Sequence, residues 1–163
     1  MFSWFDKSKR RAKRAQKIEL RGDLEAAAEL YLEAELLDDV ARVLLLRADS
    51  ETNITKRLAF CAQALRVAPE TAHGALAKKR KAAISFDLAK AAGAATMQTE
   101  LLRVGAELEA CEEWAKAAEA YVLANDEEGE IRALKSGGLI EQLEKRLRLS
   151  GAEARHSRDR SQL

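Results

Sequence analysis

A chain of 163 residues is the length of one domain and long enough to bury a real core. Ala and Leu dominate its 47% apolar fraction, 34% of its residues are charged, aromatics are only 5% and there is one Pro, which argues against a β-rich fold and for a nearly all-helical one. The formal net charge is +1 and no stretch reaches the ~18 apolar residues of a membrane span, so neither a basic domain nor a spanning helix is expected.

The chain opens with MFSWFD, three aromatics in five residues. Lys7, Lys9, Arg10, Arg11, Lys13, Arg14 and Lys17 follow, at the start of a predicted helix ending near Arg21. Gly22-Asp23 predict a turn, with Asp23 capping a second helix that runs to about Leu36 and buries Leu24, Ala27, Ala28 and Tyr31. Asp38-Asp39 begin a third helix with Val40, Val43, Leu44 and Leu46. A fourth spans about 52 to 67, with Leu58, Cys61, Ala62 and Leu65 inward. Pro69 breaks it and suits the first turn of a long fifth helix over 70 to 92, which carries Lys78-Lys79-Arg80-Lys81 and ends at Gly93. Ala94 to Glu109 form a sixth helix. Glu112 or Glu113 opens a seventh, with Trp114, Ala117, Ala118 and Tyr121. Asn125-Asp126 turn the chain into a short eighth helix ended by Gly137-Gly138, and Leu139, Leu143 and Leu147 continue as a ninth. Residues 150–163 lack periodicity and are expected to be a disordered tail.

One stretch is used twice. Residues 23–34 read DLEAAAELYLEA and residues 113–124 read EWAKAAEAYVLA. At a constant offset of 90, Ala27, Ala28, Glu29, Tyr31 and Ala34 match Ala117, Ala118, Glu119, Tyr121 and Ala124. Ile18-Glu19 match Leu108-Glu109, and Arg42 matches Arg132. A small residue, an aromatic four on and an alanine three further on make a helix stripe suited to close helix approach, and its reuse signals stacked helix pairs.

The spacing resembles tetratricopeptide (TPR) repeats. Ala27-Tyr31-Ala34 and Ala117-Tyr121-Ala124 fit the second helix of that pattern, Leu101, Val104, Gly105 and Leu108 fit the first, and Ala64 with Pro69 resembles the close of a repeat. Ala15 stands where the family prefers glycine, and the matches begin at 8, 38 and 98, separated by multiples of about 30 rather than 34. The resemblance covers residues 8–149 and implies an all-α, right-handed α-solenoid of about nine helices in antiparallel pairs. It also implies a concave groove that binds extended or helical segments. In that groove Glu109 would be an inward acid, with Thr99, Leu102 and Ala106 beside it and Glu113 nearby.

Catalytic chemistry finds no pattern. His73 and His156 are the two histidines, Cys61 and Cys111 lie fifty positions apart, and no zinc-ligand spacing or Gly-rich phosphate loop is present. The two cysteines read as buried thiols of a reducing compartment. No enzyme activity, metal or cofactor is expected. No signal peptide is read, which favours a cytoplasmic location.

Charge is segregated. Residues 1–17 hold seven Lys/Arg against one Asp, residues 100–130 ten Asp/Glu against two Lys/Arg, and residues 131–163 eight basic against four acidic residues. The expected function is an adaptor or scaffold whose helical groove binds a protein partner, with the acidic stretch suited to a basic segment. The alternative is peripheral association, at the inner surface of the cell membrane, through Phe2, Trp4, Phe5, Lys7, Lys9, Arg10, Arg11, Lys13 and Arg14, because aromatics with dense basic charge suit an anionic lipid surface. Those aromatics would otherwise cap the apolar end of the solenoid. Nucleic acid is disfavoured, since no recognised binding motif accompanies the charge. Lys78 to Lys81 read as a solvated face or an anionic-partner site, and Ser161-Gln162-Leu163 weakly resembles a PDZ-ligand or peroxisomal ending. Nothing in the pattern names the partner or the oligomeric state.

Overall fold

The computed structural model describes the backbone of residues 2–93 and 96–160 and the side chains of 6–93 and 96–151. Within them it is all-helical: α1 (Phe2–Leu20), α2 (Leu24–Glu33), α3 (Leu37–Ser50), α4 (Ile54–Val67), α5 (Ala72–Ala92), α6 (Gln98–Glu109), α7 (Trp114–Leu123), α8 (Glu127–Ser136) and α9 (Ile140–Arg160). α1 to α4 pack each on the next in sequence, and so do α6 to α9. The chain divides into two compact units, residues 1–84 and 85–163, with the boundary inside α5.

In the first unit Asp23 caps α2 by accepting from the Ala26 amide at 3.1 Å, and Asn53 caps α4 by accepting from the Lys56 amide at 3.1 Å. These side chains satisfy amides that have no partner inside the helix. The core is built from Ala15, Ala27, Tyr31, Val40, Val43, Leu44, Cys61 and Ala64. Pro69 lies in the turn rather than in the first turn of α5, which starts at Ala72. Thr71 supplies the start signal instead: its Oγ1 donates to the Ala68 carbonyl at 2.9 Å and accepts from the Gly74 amide at 3.1 Å. The turn is so tight that a Cβ on Gly74 would stand 1.7 Å from the Ala68 carbonyl oxygen. Three contacts fasten α5 to α3: the His73 amide donates to Asp38 Oδ1 at 3.1 Å, His73 Nδ1 meets Asp38 Oδ2 at 2.8 Å, and Arg80 donates to Asp49 at 2.7 Å.

In the second unit α6 starts at Gln98, later than the sequence suggested, with residues 94–95 outside the described ones. Gln98 Nε2 donates to the Ala124 carbonyl at 2.7 Å and so closes the end of α7. Asp126 caps α8 by accepting from the Gly129 amide at 3.0 Å. The Tyr121 ring lies between two glycines: a Cβ on Gly105 would come within 2.8 Å of the ring, and one on Gly129 within 2.6 Å. Trp114, expected in the core, is half-buried beside Gly137. Cys61 is buried, whereas Cys111 is half-buried rather than fully so, and both are free thiols.

The tail reading is corrected for the backbone. α9 does not stop at Ser150 but continues to Arg160. The segment GAEAR is polar, so it lacks an apolar period, but Ala, Glu and Arg are strong helix formers. Ser161-Gln162-Leu163 lies outside the described residues.

Candidate binding surfaces

The positions that repeat at an offset of 90 build the same cluster in each unit. Tyr31 donates its hydroxyl to Glu19 Oε2 at 2.9 Å, and Arg42 grips the same carboxylate at 2.5 and 2.9 Å. Tyr121 donates to Glu109 Oε2 at 2.9 Å, and Arg132 grips Glu109 at 3.1 and 3.2 Å. In both, a guanidinium also lies over the tyrosine ring, at 5.8 Å for Arg42 and 5.3 Å for Arg132. Each cluster joins the last turn of one helix to the next two helices. The Arg42 hydrogen bond, with a smaller contribution from Tyr31, holds the Glu19 carboxyl below its ordinary value. Burial and then the Glu19 hydrogen bond push the Tyr31 phenol up to about 12. Burial and Glu109 raise Tyr121 likewise. The copies differ at one corner: Arg42 also bonds Asp39, whose counterpart is Gly129, and Arg132 is correspondingly more exposed, at 55% against 31%.

This geometry changes the meaning of the α6 face read from the sequence. Glu109 is engaged by Tyr121 and Arg132 rather than presented outward. Leu102 is half-buried against Ala89, Leu101 and Ala124. Glu113 is half-buried just ahead of α7, 3.9 Å from Lys116. Thr99 and Ala106 are exposed. The five lie along α6 and its C-terminal turn; these two are exposed and the other three half-buried.

A better-formed concavity lies elsewhere in the second unit. A cleft of about 550 Å³ opens between α7, α8 and α9. Its apolar lining comes from Ala115, Ala118, Val122, Leu134 and Leu149, and its polar lining from Glu119, Glu130, Gln142, Lys145 and Arg146. Val122 and Leu149 are each 50% exposed. Arg146 braces one wall, with Nε 2.8 Å from Glu130 and its terminal nitrogen 3.4 Å from Glu127. Beside the cleft the start of α8 carries Asp126, Glu127 and Glu128. The sequence hinted at this surface only through Val122, an apolar residue outside the Ala-Tyr-Ala stripe.

The basic N-terminal segment forms α1, where Lys7, Lys9, Arg10, Arg11, Lys13 and Arg14 are all exposed. Arg11 is held by Glu33, through the carbonyl at 3.1 Å and the carboxylate at 3.4 Å. The side chains of Phe2, Trp4 and Phe5 lie outside the described residues. In the Lys78–Lys81 run, Lys78 and Lys79 are exposed and Arg80 is paired with Asp49.

No protein-family model, curated protein or solved structure matches the chain. Among the described residues no group of three or more His, Cys, Asp or Glu side chains is placed to hold a metal, and no helix is long and apolar enough to cross a membrane.

Proposed function

We propose that the chain is a non-catalytic, TPR-like adaptor that holds an amphipathic segment of a protein partner in the α7–α8–α9 cleft. The observation that supports this reading is that exposed Val122 and Leu149 line one cleft together with buried Ala118 and Leu134. Covering their exposed halves is worth on the order of 1 kcal/mol each. The acidic start of α8 favours basic side chains flanking the partner's apolar ones, each exposed pair adding ~0.2–1 kcal/mol. Apolar contact therefore supplies most of the affinity and the carboxylates set orientation.

The test is a photo-crosslinking amino acid placed at Val122 in the protein expressed in its native cell, with the same group at exposed Arg148 as control. The expected result is a discrete adduct from position 122 alone, mapping to a segment with apolar residues at helical spacing and basic neighbours. Leu149→Asp should abolish that adduct while leaving the helical circular-dichroism signal intact. Identical adducts from both positions, or an adduct that survives Leu149→Asp, would remove the cleft from consideration.

A further inference from the structure

We infer that α1 is a docking surface for an anionic lipid membrane, separate from the protein-binding cleft. At about 100° per residue, Lys7, Arg10, Lys13, Arg14 and Lys17 fall within a single arc of roughly 120° on α1. All five are exposed, and none makes an ion pair with another described residue. The opposite side of the helix is the one that packs: Ser8 and Ala12 are half-buried, Ala15 is fully buried and Glu19 belongs to the Tyr31 cluster. Ser8 Oγ donates to the Ala34 carbonyl at 3.1 Å, which together with Arg11 on Glu33 fixes the rotation of α1 against α2. The fold thus turns the cationic arc outward rather than leaving it to a loose tail.

A second observation separates a membrane from other polyanions. Leu20 lies at the edge of the same arc and is 88% exposed, the highest value among the exposed large apolar side chains. A basic face bordered by an apolar side chain suits the headgroup boundary, where cations meet phosphates and a leucine reaches the acyl region. Nucleic acid would use the cations alone. Asp6 is also exposed in this arc and subtracts one charge. From Lys7 to Leu20 the face is about 20 Å long, so its charges reach a flat surface together.

Deleting residues 2–17 would remove Ala15 and the Ser8 anchor, so point substitutions are the informative variants. The full-length protein is sedimented with phosphatidylcholine vesicles that contain or lack phosphatidylserine. Binding is expected only with phosphatidylserine, and should fall as salt rises from ~0.1 M to ~1 M, where the screening length shrinks from ~10 Å to ~3 Å. Removing one cation should lower the partition coefficient roughly fivefold, so Arg10→Gln with Arg14→Gln should lower it about thirtyfold. Leu20→Ser should lower it about tenfold. The control pair, Lys56→Gln with Lys78→Gln, removes two exposed cations outside α1 and should leave binding near the parent level. Circular dichroism checks that every variant is folded. The inference is overturned if the parent ignores phosphatidylserine, if the control pair loses as much as the α1 pair, or if Leu20→Ser changes nothing while duplex DNA binds with the same dependence on Arg10 and Arg14.

Discussion

A tyrosine that is 2–3% exposed still carries a hydroxyl that needs a partner, and in this chain the partner is a carboxylate held by an arginine. Replacing Tyr31 or Tyr121 by Phe keeps the ring and removes that charge-assisted bond, so each change should destabilise by about 1.5–3 kcal/mol in urea unfolding. The first unit's copy also sets a pH dependence. Tyr31 titrates near 12 folded against 10 ordinarily, so its contribution is present below pH 10 and is lost as pH rises toward 12. Glu19 titrates below its ordinary 4.5, so its contribution is present above that value and is lost as pH falls through the lowered one. The difference in melting temperature between the parent and Tyr31→Phe should therefore be largest from pH 5 to 9 and shrink on both sides; a difference independent of pH would contradict the cluster. The offset of 90 displayed Glu19, Tyr31 and Arg42 together with their copies, yet their bond was not legible. The three lie 12 and 23 positions from one another's partners, on three helices, and no helical period joins such separations. For that reason Glu109 read as an open acid, whereas its carboxylate is already engaged by Tyr121 and Arg132.

Helices and their ends were far more legible, because Gly22, Asp23, Asp126 and Gly137-Gly138 act locally. Pro69 misled because the start of α5 depends on Thr71 bonding Ala68 and Gly74, a side-chain arrangement that composition does not reveal. The glycines give a graded test at this scale. Gly74→Ala drives a methyl into a backbone carbonyl at 1.7 Å, so the α4–α5 turn must open, and a loss of about 3 kcal/mol is expected. Gly105→Ala meets only the edge of the Tyr121 ring, at 2.8 Å, and the first unit carries a buried Ala15 at the matching position. That change should cost about 1 kcal/mol and be absorbed by a shift of the ring. Equal losses in thermal unfolding would mean that the turn is not the rigid element described above. The continuation of α9 past Ser150 escaped the sequence reading because helix propensity without an apolar stripe resembles disorder.

Over the whole molecule, stability is divided between two units whose helices pack mainly on their sequence neighbours. In such chains unfolding is a sum of local openings more than one global event. Tyr121→Phe should therefore raise amide hydrogen exchange in α6, α7 and α8 while leaving α1, α2 and α3 at the parent rates; a uniform rise across all nine described helices would show a single cooperative unit. The same neighbour-on-neighbour packing bears on how the protein is made. Contacts close in sequence need little chain entropy to form, and helical folds of this kind assemble in microseconds to milliseconds. Synthesis proceeds at ~5–20 residues per second, so the 79 residues of the second unit take ~4–16 s to follow the first. The first unit is thus complete, with the cationic face of α1 already turned outward, while the ribosome is still translating the second.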